Sequence, residues 1–294
     1  MKNKLILKED GVLDMKMMKG VLLALIPVTL YALYSYRLAA LVLIGVSILS
    51  AVAAEVVYQK LAGKKLNISN LSAVVTGLLF SFTLSPSTPL YAVIISVAFG
   101  VIVAKELFGG FAQNIFNPAL LGRLFLIFAF PKALSPWQSR IDLVSTATPL
   151  TNFWESGEMV GISQAFLGQI PGSLGEISAL LILAGGLYLV YKNYIRWRIP
   201  VSILATAALF ALVMGDNPLF HLFTGSIMIG SFFFATDPMT SPRFPKAQIV
   251  FGICVALIIM SMRYWGWLAE GVAFGILIMN IFVPYLDKKF KPAK

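Results

Sequence analysis

The chain has 294 residues, of which 59% are hydrophobic and only 12% charged, with a formal net charge of +10. A water-soluble domain carries about a quarter charged residues, so the composition excludes an ordinary soluble domain and points to an all-α polytopic membrane protein. The positive charge does not indicate a nucleic-acid partner, because the basic residues sit at the ends of apolar segments, where they orient helices. The single cysteine, Cys254, lies inside an apolar run, which excludes an intrachain disulfide and a multi-cysteine metal cluster held by this chain alone.

Apolar stretches predict about ten spans, at 18–35, 38–58, 70–85, 88–104, 118–131, 178–191, 199–214, 218–235, 248–262 and 267–286. They are continuously apolar rather than alternating, which argues against a transmembrane β-barrel. The N-terminal lysines are not followed by a short apolar stretch with a small-residue cleavage site, so no removable signal peptide is expected. With those lysines in the cytoplasm, the loops after even-numbered spans are the basic ones. They hold Lys60, Lys64, Lys65, Lys105, Lys192, Arg196, Arg198, Arg243 and Lys246. Both termini are then cytoplasmic. Three regions follow: a membrane half at 1–131, an extracytoplasmic loop at 132–177, and a second membrane half at 178–294. Val75–Phe80 before Pro89 resembles Ala205–Phe210 before Pro218, which suggests a duplicated unit.

Polar residues inside this apolar chain mark its candidate sites. Glu55 lies near the end of the second span, where snorkelling to the interface is the expected behaviour. Glu106 follows Lys105 and is expected to pair with it or to face a partner. Two segments break the apolar pattern on the cytoplasmic side. One runs from Gly109 to Pro118 and includes Asn114 and Asn117; the other runs from Phe234 to Pro242 and includes Thr236 and Asp237. Each contains Asx-Pro, and proline disfavours helix at the residue before it, which frees backbone groups that need partners in a membrane. Such paired breaks suit a ligand site, and the amides and carboxylate suit the edge of a planar heteroaromatic; helix capping is the plainer use of the same residues. Arg123, soon after the first break, could meet a phosphate or carboxylate. The outer loop holds Asp142 and the run Ser145-Thr146-Ala147-Thr148, which reads as an exposed turn carrying a nucleophile. Alone, the run fits equally a helix cap with Pro149 at the first helical position. His221 is the only histidine, so bis-His haem ligation is disfavoured.

Taken in order, Asn114-x-Phe116-Asn117-Pro118-Ala119, Phe128-Ala129-Phe130-Pro131, Ser145-Thr146-Ala147-Thr148-Pro149-Leu150 and Phe234-Ala235-Thr236-Asp237-Pro238 resemble one family. It is the RnfD/NqrB family of membrane subunits in Na+- or H+-translocating electron-transport complexes. The length and compact N-terminus look more like the RnfD branch, of the ferredoxin:NAD+ oxidoreductase (Rnf) complex, than the NqrB branch of the quinone-reducing complex. The resemblance implies FMN joined through its phosphate to Thr148 by a flavin transferase, within the motif from Asp142 to Thr148. The family often has Gly where this chain has Thr146. It implies a second, non-covalent flavin, riboflavin, at Asn114, Asn117 and Asp237. It also implies ten helices in two five-helix halves related as an inverted repeat, which the like-oriented local repeat above does not support. The implied setting is a prokaryotic inner membrane. The implied partners are NAD-binding, iron–sulfur and second flavin subunits, and the complex as a whole would be the enzyme. A secondary transporter or channel without a redox cofactor, and a structural membrane anchor, are the rival readings.

Overall fold

The computed structural model describes residues 11–67, 69–134, 137–138, 145–146, 148–176, 178–266 and 271–292. Helix dominates. The longest element, α1 (Gly11–Leu61), is broken at Arg37, whose φ of 48° and ψ of −123° cannot continue a helix. The break falls between the first two apolar stretches and divides α1 into limbs that each exceed the ~20 residues of a membrane crossing.

Next come α2 (Ser72–Ser81) and α3 (Leu90–Val101), the latter passing into a π-helical turn at Ile102–Glu106. α4 (Pro118–Ala129) follows, then a 3-10 turn at Pro131–Leu134. A two-residue antiparallel pair, β1 (Trp137–Gln138) and β2 (Ser145–Thr146), precedes the short helices α5 (Pro149–Ser156) and α6 (Ile162–Leu167). The loop expected to be irregular is thus partly helical.

The remaining helices are α7 (Ala179–Tyr191), α8 (Arg198–Met214), α9 (Pro218–Phe223), α10 (Ile227–Ile229), α11 (Pro245–Trp265) and α12 (Val272–Lys289). The stretch 218–235 is not one helix. It is α9, an extended residue at Thr224, α10 and a second π-helical turn at Gly230–Phe234. Pro218 starts α9 but does not stop it; Thr224 (ψ 148°) and Gly225 (φ 66°) do.

α1 packs on α2, α3 and α7, α8 packs on α11, and α12 bridges to α4. Two of the closest approaches involve glycine. A Cβ on Gly100 of α3 would lie 2.3 Å from the Pro118 carbonyl oxygen, and one on Gly122 of α4 would lie 2.8 Å from that of Ser96. The backbones of α3 and α4 therefore touch, which fixes the start of α4. Met15–Leu61 and Pro245–Trp265 are long and apolar enough to cross a membrane; α2, α4, α7 and α8 are apolar but shorter. Leu30, Tyr34, Leu38 and Leu49 on α1 and Leu209 and Val213 on α8 are exposed, an apolar surface that water does not favour.

Candidate functional site: a pocket between two helix breaks, and the Thr148 turn

Asn117 caps α4 because Pro118 holds it extended (ψ 118°) at the helix start. Its Oδ1 accepts from the backbone N–H groups of Ala119 (3.1 Å) and Leu120 (3.3 Å), and its amide Nδ2 donates to the Phe234 carbonyl (3.4 Å). Its own backbone N–H donates to Asn280 Oδ1 (3.3 Å), while Asn280 Nδ2 donates to the Thr240 carbonyl (3.0 Å). The first break is thereby joined to the second directly at Phe234 and through Asn280 at Thr240.

The two breaks share a construction. Each follows a π-helical turn, Ile102–Glu106 or Gly230–Phe234, a local widening that recurs at functional sites. After the first, Gly109 (φ 122°) and Gly110 (φ 99°) reverse the chain toward Asn114. After the second, Thr236 Oγ1 donates to the Phe232 carbonyl (2.6 Å), and Asp237 accepts from the Met239 N–H (3.2 Å) and the Thr240 hydroxyl (3.3 Å). Burial holds the Asp237 carboxyl above the usual carboxylate range, against the lowering effect of those two hydrogen bonds.

Between the breaks lies a pocket with about 730 Å³ of atom-free space, its mouth included. Asn114, Asn117, Thr236 and Asp237 line it together with Phe111, Phe232, Phe233, Tyr194, Met17 and Met18. A wall that combines amides and a carboxyl with aromatic and thioether groups suits a flat heteroaromatic that is hydrogen-bonded at its edge. Lys105 and Ser72 also reach this wall. Lys105 Nζ is bonded to Glu55 Oε1 (2.7 Å) and Ser72 Oγ (2.6 Å), with both ionic partners almost fully buried.

Thr148 lies elsewhere. It caps α5, with Pro149 as the first helical residue. Its Oγ1 accepts from the Thr151 N–H (3.2 Å) and lies 2.9 Å from the Thr151 hydroxyl. It is 5% exposed, so the turn is not open as expected from the sequence. Thr148, Leu150, Ile170, Pro171, Glu176 and Gly225 surround a small cleft. Glu176 holds it together: Oε1 accepts from the Ser173 N–H (2.7 Å) and Oε2 from the Ser226 hydroxyl (2.6 Å).

The NQR2, RnfD, RnfE family profile matches residues 9–294. The chain belongs to this family. It is 40% identical, over 92% of its length and 87% of the relative's, to the D subunit of the Na+-translocating ferredoxin:NAD+ oxidoreductase complex of Acetobacterium woodii. It is 37% identical, over 95% and 91%, to the D subunit of the proton-translocating ferredoxin:NAD+ oxidoreductase complex of Clostridium ljungdahlii. It is 34% identical, over 94% and 90%, to the D subunit of the ion-translocating oxidoreductase complex of Stutzerimonas stutzeri.

In this member of the NQR2, RnfD, RnfE family, the pocket gathers Asn114, Asn117, Thr236 and Asp237 from the two breaks. Arg123 is buried in α4 and is not among the residues lining the pocket. Asp142 and Ala147 lie outside the described residues, and Ser145 and Thr146 are described only as backbone of β2. Glu55 does not snorkel: it is 1% exposed and paired with Lys105. Glu106 does not take that lysine, because adjacent residues on a helical turn do not face each other. His221 is buried and shares the Tyr264 hydroxyl (3.0 Å) with Asp216, so it secures α9 to α11. Sequence reasoning passed over Asn280, a lone carboxamide in the last apolar run and a signal that was available. It also passed over the aromatic wall, which composition cannot separate from packing.

Proposed function

We propose that the chain is the D subunit of an ion-translocating ferredoxin:NAD+ oxidoreductase complex, that it carries one flavin covalently at Thr148, and that it holds a second, non-covalent flavin in the pocket between the breaks. The observation that carries the second site is the joining of two sequence-distant Asx-Pro breaks around one cavity. The relatives' names support the complex. They include both Na+ and proton transport, so the coupling ion is one of these two.

A bound flavin supplies reversible electron transfer; the chain supplies position and electrostatics. In the pocket, the Asn114 amide and the Asp237 carboxyl would offer hydrogen bonds to a bound flavin, and Phe111, Phe232, Phe233 and Tyr194 would pack against it and exclude water. A protonated Asp237 donates a hydrogen bond that an ionised one cannot. At the other site, Thr148 Oγ1 is the oxygen to which the phosphate would be joined. As an ester oxygen it keeps a lone pair for the Thr151 N–H, so the cap of α5 survives attachment. FMN is the flavin that fits this linkage and riboflavin the one expected in the pocket.

The reading has ten membrane crossings, both termini in the cytoplasm and Thr148 on the opposite side. α4 starts at the pocket and ends toward the Thr148 loop. The run α10–Gly230–Phe234 starts beside the Thr148 cleft and ends at the pocket. α4 is about 18 Å long over its 12 residues, and the run from Gly225 through α10 to Phe233 links the Thr148 cleft to the pocket. Partners that deliver and remove electrons complete the enzyme, among them an iron–sulfur protein and an NAD-binding protein, and a flavin transferase matures it.

The test is co-expression with an active flavin transferase, followed by fluorescence of the denatured chain. Wild type is expected to fluoresce and Thr148→Ala not to, with unchanged secondary structure apart from a capping loss of roughly 1 kcal/mol. Thr148→Ser, which keeps both cap and nucleophile, separates the two effects. Covalent flavin retained in Thr148→Ala would refute the assignment.

A further inference from the structure

Beside the pocket lies a buried charged cluster that the proposed function leaves without a role. Lys105 sits in the π-helical turn that precedes the first break. Lys105 is among the residues that line the pocket, and its ammonium is bonded to Glu55 on α1 and to Ser72, itself a lining residue, at the start of α2. Gln59, one turn after Glu55, directs its Nε2 at both Glu55 Oε1 (3.3 Å) and Glu106 Oε1 (3.4 Å). Glu55 and Glu106 are 1% and 0% exposed, and the second oxygen of each, Oε2, is buried without a hydrogen-bond partner. The nearest further cation is Lys64, whose ammonium donates to the Glu106 backbone carbonyl (3.2 Å). Among the described residues that line the pocket, the other titratable groups are Asp237 and Tyr194.

Two buried carboxyls thus lie around one buried ammonium, which is bonded to Glu55 and acts on Glu106 through charge alone, and the residue that carries it lines the pocket. A buried charge without a partner is costly, so the ammonium follows the greater negative charge and a proton replaces it where it leaves.

We propose that Lys105 is the movable countercharge of the pocket: it turns from Glu55 toward a ligand that has gained negative charge, and the Glu55–Glu106 pair takes up one proton in its place. The inference rests on the reading of the pocket as a flavin site. Charge balances: one electron, supplied by a reduced iron–sulfur partner, enters the ligand, and one proton enters the carboxyl pair. Residues 62–66 beside Lys64 are exposed, so water lies on the Lys64 side of the cluster. Lys105 is a positioning and potential-setting residue, so its signature is a shifted potential.

The experiment is a redox titration of the full chain in nanodiscs, with riboflavin as the ligand, in a Thr148→Ala background so that the pocket flavin titrates alone. Lys105→Met is expected to make the bound flavin at least tenfold harder to reduce, about 59 mV lower for one electron. Lys105→Arg restores most of that shift. Glu55→Gln, which keeps a hydrogen bond to Lys105, is expected to flatten the dependence of potential on pH. Unchanged potential in Lys105→Met would overturn the proposal. So would an unchanged pH slope in Glu55→Gln, which decides the matter if Lys105→Met does not fold. Failure of the parent chain to bind riboflavin would overturn the pocket reading itself, and this proposal with it.

Discussion

Asp237 is placed where ionisation is disfavoured. In the unfolded chain it ionises near its ordinary pKa of about 4, whereas burial in the fold raises that value. The folded state therefore binds a proton over a pH window in which the unfolded state does not. Its contribution to stability is greatest below the unfolded pKa and is lost as pH rises through the folded one. Asp237→Asn removes this penalty. The ligand-free variant is expected to melt higher than the parent at neutral pH, with the gap closing below about pH 4, and to bind the pocket ligand more weakly. Melting curves across pH check the first expectation and ligand titration the second. Equal melting temperatures at neutral pH would contradict this account of Asp237. Asn117 and Asp237 were legible in the sequence because Asx-Pro has local backbone consequences. The Lys105–Glu55 pair was not, because it joins residues fifty apart through the packing of α1 against the π-helical turn, which no local pattern encodes.

At the scale of elements, the pocket depends on where α4 begins, and α4 is set by its contact with α3. Gly100→Ala would push a methyl group against the Pro118 carbonyl, which is part of the α4 backbone and cannot turn aside. A loss of ~1–3 kcal/mol is expected, along with weaker ligand binding, since Asn117 moves with Pro118. Gly45→Ala is the control: nothing lies within 4 Å of the added methyl, and the helix gains ~0.5–1 kcal/mol. Thermal unfolding of both variants in the same detergent tests the pair. Most helices follow the apolar runs, because hydrophobicity decides where a membrane helix can sit. The departures have physical causes. Arg37 interrupts helical geometry while helix continues on both sides of it, and Thr224–Gly225 divide a largely apolar stretch. Each π-helical turn is invisible to hydropathy because a π turn and an α turn use the same residue types.

At the scale of the molecule, the fold joins its two sites through shared elements. The run from Gly225 at the Thr148 cleft through α10 to Phe232 and Phe233 on the pocket wall is continuous in the chain, so its packing couples the two sites. Membership of the NQR2, RnfD, RnfE family places the chain among relatives named as subunits of ion-translocating oxidoreductase complexes. A transporter without a cofactor would need the cavity but not the Thr148 cap; a structural anchor would need neither. The most direct test of the central claim is a flavin count on the protein released from its intact complex. The account predicts one flavin phosphate on the peptide containing Thr148 and one flavin extracted by acid, the latter lost in Asp237→Ala. An unmodified Thr148 with no extractable flavin, from a complex matured by an active transferase, would contradict it.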